Sequence, residues 1–125
     1  MKRIVSQAVL FPILTALDFD VNAGLTYCGN DEEFYCDLIR ELCEDVLAQR
    51  GDALEKPDPK RRREYAHLLK GTLQVLGETR ASQRARELEQ VLRNGEPDDD
   101  LSRKLLDDLD RIHGPLRDFF AQYAP

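Results

Sequence analysis

The sequence predicts an all-α fold, an antiparallel four-helix bundle with additional helical segments at its N-terminus. Apolar residues recur at helical spacing in several stretches, most of them bounded by capping residues and glycines. No stretch alternates strongly in the manner of a half-buried strand, and Asn94-Gly95 closes a helical stretch instead of joining two strands. Helices of this length joined by short loops pack antiparallel. A chain of 125 residues suits one domain, and 42% hydrophobic residues suffice for one core. A charged content of 34% with only 7% aromatic residues fits a soluble helical protein.

Residues 1–16 are read as a helix or extended arm lying on the bundle, and residues 17–125 as the bundle itself. Lys2 and Arg3 precede an apolar run over residues 4–17, which raises the possibility of a signal peptide. Ser6, Gln7 and Pro12 interrupt that run and no small-x-small cleavage site follows cleanly. The run is also too short and too mixed to span a membrane. Pro12 is expected to bend or end the segment.

Asp20 is placed to cap a short helix through Tyr27, with Gly29 as its stop. Asn30 is read as the cap of a long helix over residues 31–49. Asp31, Glu32 and Glu33 in its first turn suit the helix dipole. Its apolar face is Phe34, Tyr35, Leu38, Ile39, Leu42 and Val46, and Gly51 ends it before a loop at 52–56.

Asp58-Pro59 then supplies a cap followed by proline at the first helical position. The helix it opens runs over residues 59–77. At about 100° per residue, Tyr65, Leu68, Leu69, Thr72, Val75 and Leu76 gather on one face. Arg63, His67, Lys70, Gly71 and Gln74 gather on the other. Thr79 or Ser82 starts the next helix, with Ala81, Ala85, Leu88 and Leu92 on one face and Asn94-Gly95 at its end. The last helix carries a stripe of Leu101, Leu105, Leu109, Ile112, Leu116, Phe119 and Tyr123. Gly114-Pro115 is expected to kink it.

The polar face of the 59–77 helix is where chemistry is expected. A mid-helix glycine costs roughly 1 kcal/mol relative to alanine, and on a solvent face no packing within the chain repays Gly71. A bare patch beside an exposed imidazole lets another molecule approach. The His67 ring holds a nitrogen lone pair and acts as a nucleophile. Lys70, one turn on, neutralises an arriving anion. The set describes a site that takes a phosphoryl group from a docked partner.

Ala66-His67-Leu68-Leu69-Lys70-Gly71, with Gly77 and then Leu88-Glu89, resembles the histidine-containing phosphotransfer (HPt) domain family. Gly24-Leu25 through Gly29-Asn30-Asp31-Glu32-Glu33-Phe34-Tyr35 is similar to that family's entry into its second helix. The resemblance runs from about Leu17 to about Tyr123. It implies a phosphocarrier that relays a phosphoryl group between receiver-domain aspartates through phospho-His67, with Lys70 offsetting its charge. In some members a carboxylate or amide at the position of Glu89 bonds the imidazole, which fixes the tautomer and leaves Nε2 free. For Glu89 that role and plain surface polarity both stand. Gly71 would permit close docking. Arg63 and Gln74 read either as partner contacts or as ordinary surface.

No G-x-x-x-x-G-K or G-x-G-x-x-G loop is present, so the chain is not expected to use ATP as a kinase does. No cofactor is expected, and Mg²⁺ belongs to the receiver. A net charge of −6 and pI near 4.9 argue against nucleic-acid binding. Cys28, Cys36 and Cys43 are an odd number at spacings unlike a metal site, and read as reduced thiols of a cytoplasmic, monomeric protein. His113 lacks a Lys-Gly sequel and reads as structural. The alternative reading is a pseudo-HPt or helical adaptor that binds a receiver or another partner without carrying phosphate.

Overall fold

The computed structural model describes residues 6–123, so Lys2, Arg3 and the start of the apolar run lie outside the described residues. All regular structure among the described residues is helical. A π-helical turn, Ser6–Leu10, leads into α1 (Phe11–Ala16). Pro12 lies in the first turn of α1, directly after the π-helical turn, and does not end the segment. Leu10, Leu14, Leu17 and Phe19 are all buried in the core.

Asp20 caps α2 (Val21–Tyr27), its carboxylate accepting from the Ala23 N–H at 3.0 Å. The cap of α3 (Glu32–Glu41) is Asp31, which accepts from the Phe34 N–H at 3.0 Å. Asn30, expected as the cap, instead makes the preceding turn at φ +62°. α3 passes through a π-helical turn, Leu42–Val46, and a 3₁₀ turn, Leu47–Gln49, into α4 (Arg50–Leu54). Gly51 therefore does not end the helix, and 52–54 are not loop. Ala53 and Leu54 are buried, and their burial outweighs the roughly 1 kcal/mol cost of a helical glycine. The π turn inserts a residue and shifts the apolar stripe. Tyr35, Ile39, Leu42, Cys43 and Leu47 fill the core, whereas Val46 is half-buried and Phe34 is exposed.

α5 (Pro59–Val75) begins as expected, with Asp58 accepting from the Arg61 N–H at 3.2 Å. Its buried stripe is Tyr65, Ala66, Leu69 and Leu73, continued by Leu76. Two tyrosines lock it to α3 and the π turn that follows: the Tyr65 hydroxyl donates to the Val46 carbonyl at 2.7 Å, and the Tyr35 hydroxyl of α3 to the Leu76 carbonyl at 2.8 Å. Gly77 turns the chain at φ +96°, and a Cβ there would sit 2.2 Å from the Asp20 carbonyl oxygen. The Asp20 N–H donates to the Gly77 carbonyl at 2.9 Å, which holds the start of α2 at the end of α5.

α6 (Arg80–Arg93) packs along α5 in the most extensive helix pair of the molecule. Thr79 gives it no side-chain cap. The buried Glu78 carboxylate does so, accepting from the Ala81 N–H at 2.9 Å. α7 (Asp99–Tyr123) continues as helix through Gly114 and Pro115. Its stripe is buried from Leu105 to Phe119, while Tyr123 is 41% exposed with its ring 5.0 Å from that of Phe119. Among the described residues no single helix is long and apolar enough to cross a membrane.

Candidate functional site

His67 lies in the middle of α5, opposite the stripe that holds the helix to the core, so its ring faces solvent. Its side chain is 65% exposed. Leu68 was expected on the core face, yet it is 44% exposed beside the histidine. The buried stripe is centred on Ala66 and Leu69, which carries Leu68 round to the rim of the polar face.

The partner of the imidazole comes from α6. Glu89 shares its side of that helix with Ser82 and Ala85, which face α5, so its carboxylate is carried into the α5–α6 seam at 6% exposure. Its Oε2 stands 2.7 Å from His67 Nδ1, and its Oε1 accepts from Lys70 Nζ. Arg93, one turn further along α6, donates to Oε2 at 3.3 Å. Burial pushes the Glu89 carboxyl up, but the bonds from Lys70 and His67 and the charges of Lys70 and Arg93 outweigh it and hold it below the usual range. An ionised carboxylate only accepts, so Nδ1 carries the proton and the lone pair resides on the outward Nε2. Glu89 is therefore no solvated surface carboxylate. Arg93 went unnoticed in the sequence, although its i+4 spacing from Glu89 was a legible signal.

Lys70 is one turn from His67, but its ammonium is paired with Glu89 and its side chain is 25% exposed. Ser82 pins the seam at this level, its hydroxyl donating to the Lys70 carbonyl at 2.6 Å. Gly71 is exposed, and a Cβ built there would meet nothing within 4 Å. Arg63 is exposed one turn before His67. Gln74 is exposed too, but its Oε1 accepts from Arg86 at 3.1 Å, tying it to α6.

His113 stands apart from this set. It is half-buried on α7, lining a groove of about 420 Å³ with Cys43, Ala48, Arg117 and Phe120. Burial, then the charges of Arg50 and Arg117, push its pKa down. Cys28 and Cys43 are buried free thiols, and Cys36 is half-buried. Among the described residues no three His, Cys, Asp or Glu side chains converge as a metal site.

The chain matches one family along most of this architecture. Residues 35–114, well over half of the sequence and including His67, Lys70, Gly71, Glu89 and Arg93, match the Hpt domain. No curated protein and no solved structure matches it. A helical bundle with an outward histidine on its central helix, matched over that span, places this chain in the Hpt domain family.

Proposed function

We propose that this protein relays a phosphoryl group between receiver-domain aspartates through phospho-His67. The family implies phosphotransfer in two-component signalling. The carrier atom and its surround are inferred from geometry. One observation carries the reading: an exposed imidazole whose Nδ1 is held by a buried carboxylate at 2.7 Å, leaving Nε2 outward beside the bare Gly71.

In the proposed step, Nε2 attacks the phosphorus of a receiver's phospho-aspartate. The Nε2–P bond forms as the P–O bond to the aspartate breaks, and the leaving group departs as a carboxylate. No proton needs to move, because the imidazolium charge that develops lies against Glu89 through Nδ1–H. The receiver brings Mg²⁺ and the acid pocket. Transfer to a second receiver is the reverse of the same step. The domain is then a carrier without kinase activity, acting as a monomer in the cytoplasm, where receivers act.

The test is labelling by a chemically phosphorylated receiver domain. Acid-labile label is expected on the wild type and on His113→Gln, and none on His67→Gln. Label that survives in His67→Gln would remove the assignment. A wild type that binds the receiver yet never takes label would establish the pseudo-carrier instead.

A further inference from the structure

The basic run at the start of α5 divides in two in the folded chain. Arg62 is buried, and its guanidinium donates to Asp98 at 2.7 Å and Asp99 at 2.9 Å. Arg61 turns to Gln49 at 2.9 Å and to Asp52 at 3.8 Å, with its guanidinium 5.6 Å from the centre of the Tyr65 ring. Both serve the fold. Lys60 and Arg63 are exposed, and their side chains take part in no hydrogen bond or ion pair among the described residues.

Those two share a helix face with the histidine. Residues 60, 63 and 67 follow one side of α5 over about 10 Å. α6 extends the same field, with Arg93 56% exposed beside Glu89 and Arg86 exposed against Gln74. With Lys70, the two helices carry five cations on the side of the molecule that holds the imidazole. The carboxylates among them are Glu64, exposed on the same face, and Glu89, buried and occupied by three donors. Around this set, Asp58 caps α5, Glu87 is exposed on α6, Glu96 accepts from Asn94, and Asp98 and Asp99 are turned to Arg62. Yet the whole chain carries −6. Positive charge is concentrated where the carrier sits, and the rest of the surface is correspondingly acidic. Along α5 the other side of His67 is bare and apolar, with Gly71 and Leu68.

We propose that Lys60, Arg63 and Arg93 form a basic docking ridge that selects and orients a partner protein through an acidic surface bordering its phosphorylated residue. This rests on the reading of His67 as the carrier. The ridge draws the acidic edge of the partner toward the N-terminal end of α5, and the neutral half accepts its apolar contact. Such a field acts over about a Debye length, roughly 10 Å at 0.1 M salt, and raises on-rates by about 10-fold to 10³-fold.

The experiment follows phosphoryl transfer from a chemically phosphorylated receiver domain at subsaturating concentration, with NaCl raised from about 0.02 M to about 0.5 M. The wild-type rate is expected to fall about tenfold or more across that range. Lys60→Glu/Arg63→Glu should be about tenfold slower at low salt and nearly insensitive to salt, with the deficit shrinking at saturating receiver. Lys60→Glu adds an acidic group to a first helical turn, which favours folding, and circular dichroism confirms the fold. Arg103→Glu/Arg117→Glu, on exposed positions of α7, changes the net charge equally and should match the wild type.

A wild-type rate independent of salt overturns the ridge, as does equal slowing in both double variants, which would make net charge the cause. A single-stranded oligonucleotide that competes with the receiver at about 0.15 M salt also overturns it, by assigning the ridge to nucleic acid. If His67 takes no label from the receiver or from phosphoramidate, the carrier reading fails and the ridge fails with it. Normal labelling without salt dependence removes the ridge alone.

Discussion

At the scale of single residues, Glu89 holds three donors on two oxygens: His67 and Arg93 on Oε2, Lys70 on Oε1. Its folded pKa lies below the ordinary value of a glutamate carboxyl. The network therefore contributes fully above that value, and its contribution is lost as pH falls through the lower folded one. At neutral pH the imidazole is held by an ionised partner. Glu89→Ala removes the Nδ1 acceptor and leaves the Lys70 and Arg93 cations without their anion. Glu89→Gln keeps an oxygen for Nδ1–H but loses the charge. Labelling by a small phosphodonor is expected to slow about 100-fold in the alanine variant and clearly less in the glutamine variant. Equal rates in wild type and Glu89→Ala would make the contact incidental.

Two glycines separate function from packing at the scale of elements. At Gly71 a Cβ meets nothing, so Gly71→Ala should stabilise α5 by up to about 1 kcal/mol. At Gly24, inside α2, a Cβ would lie 2.4 Å from the Tyr35 ring and 2.7 Å from the Leu76 carbonyl oxygen. Gly24→Ala should cost about 1–3 kcal/mol despite the better helix propensity. Urea denaturation of both variants gives the two signs, and a Gly71→Ala that destabilises would show hidden packing there. Glu78, the cap of α6, makes the pH prediction. Burial raises its pKa, with the Ala81 and Arg80 N–H groups pulling it back down. A raised carboxyl pKa gives stability that is greatest below the unfolded value and is lost as pH rises through the folded one. Glu78→Gln keeps an acceptor for Ala81, so its Tm should exceed the wild-type value at pH 7 and converge with it toward pH 4. A gap that is constant with pH would sink this account.

For the whole molecule, the family match begins at residue 35, but the core begins earlier. Leu10, Leu14, Leu17 and Phe19 are buried in the same cluster as Leu73 and Leu105. The N-terminal segment is thus a wall of the bundle. Leu14→Ala should cost about 2–5 kcal/mol in urea denaturation, as for any fully buried leucine. A change near zero would mean that residues 1–16 are a separable arm.

The chain by itself determined the helical class, the starts of α2 and α5, and the outward phase of His67 and Gly71. Each is a local consequence of 3.6-residue periodicity and of side chains that cap their own helix. Only the tertiary structure decided that the helical path from α3 continues through α4 past Gly51, because that depends on Ala53 and Leu54 finding a core. It also decided that Leu68 is exposed and that the basic run splits into two pairs of different use. The site is divided in the same way. His67, Lys70 and Gly71 lie within one turn of each other and are legible together. Glu89 is 22 residues away from His67, and its burial and its three bonds exist only once α6 lies along α5. Helical periodicity places a side chain on a face, but what that face meets is set by which helix packs against it.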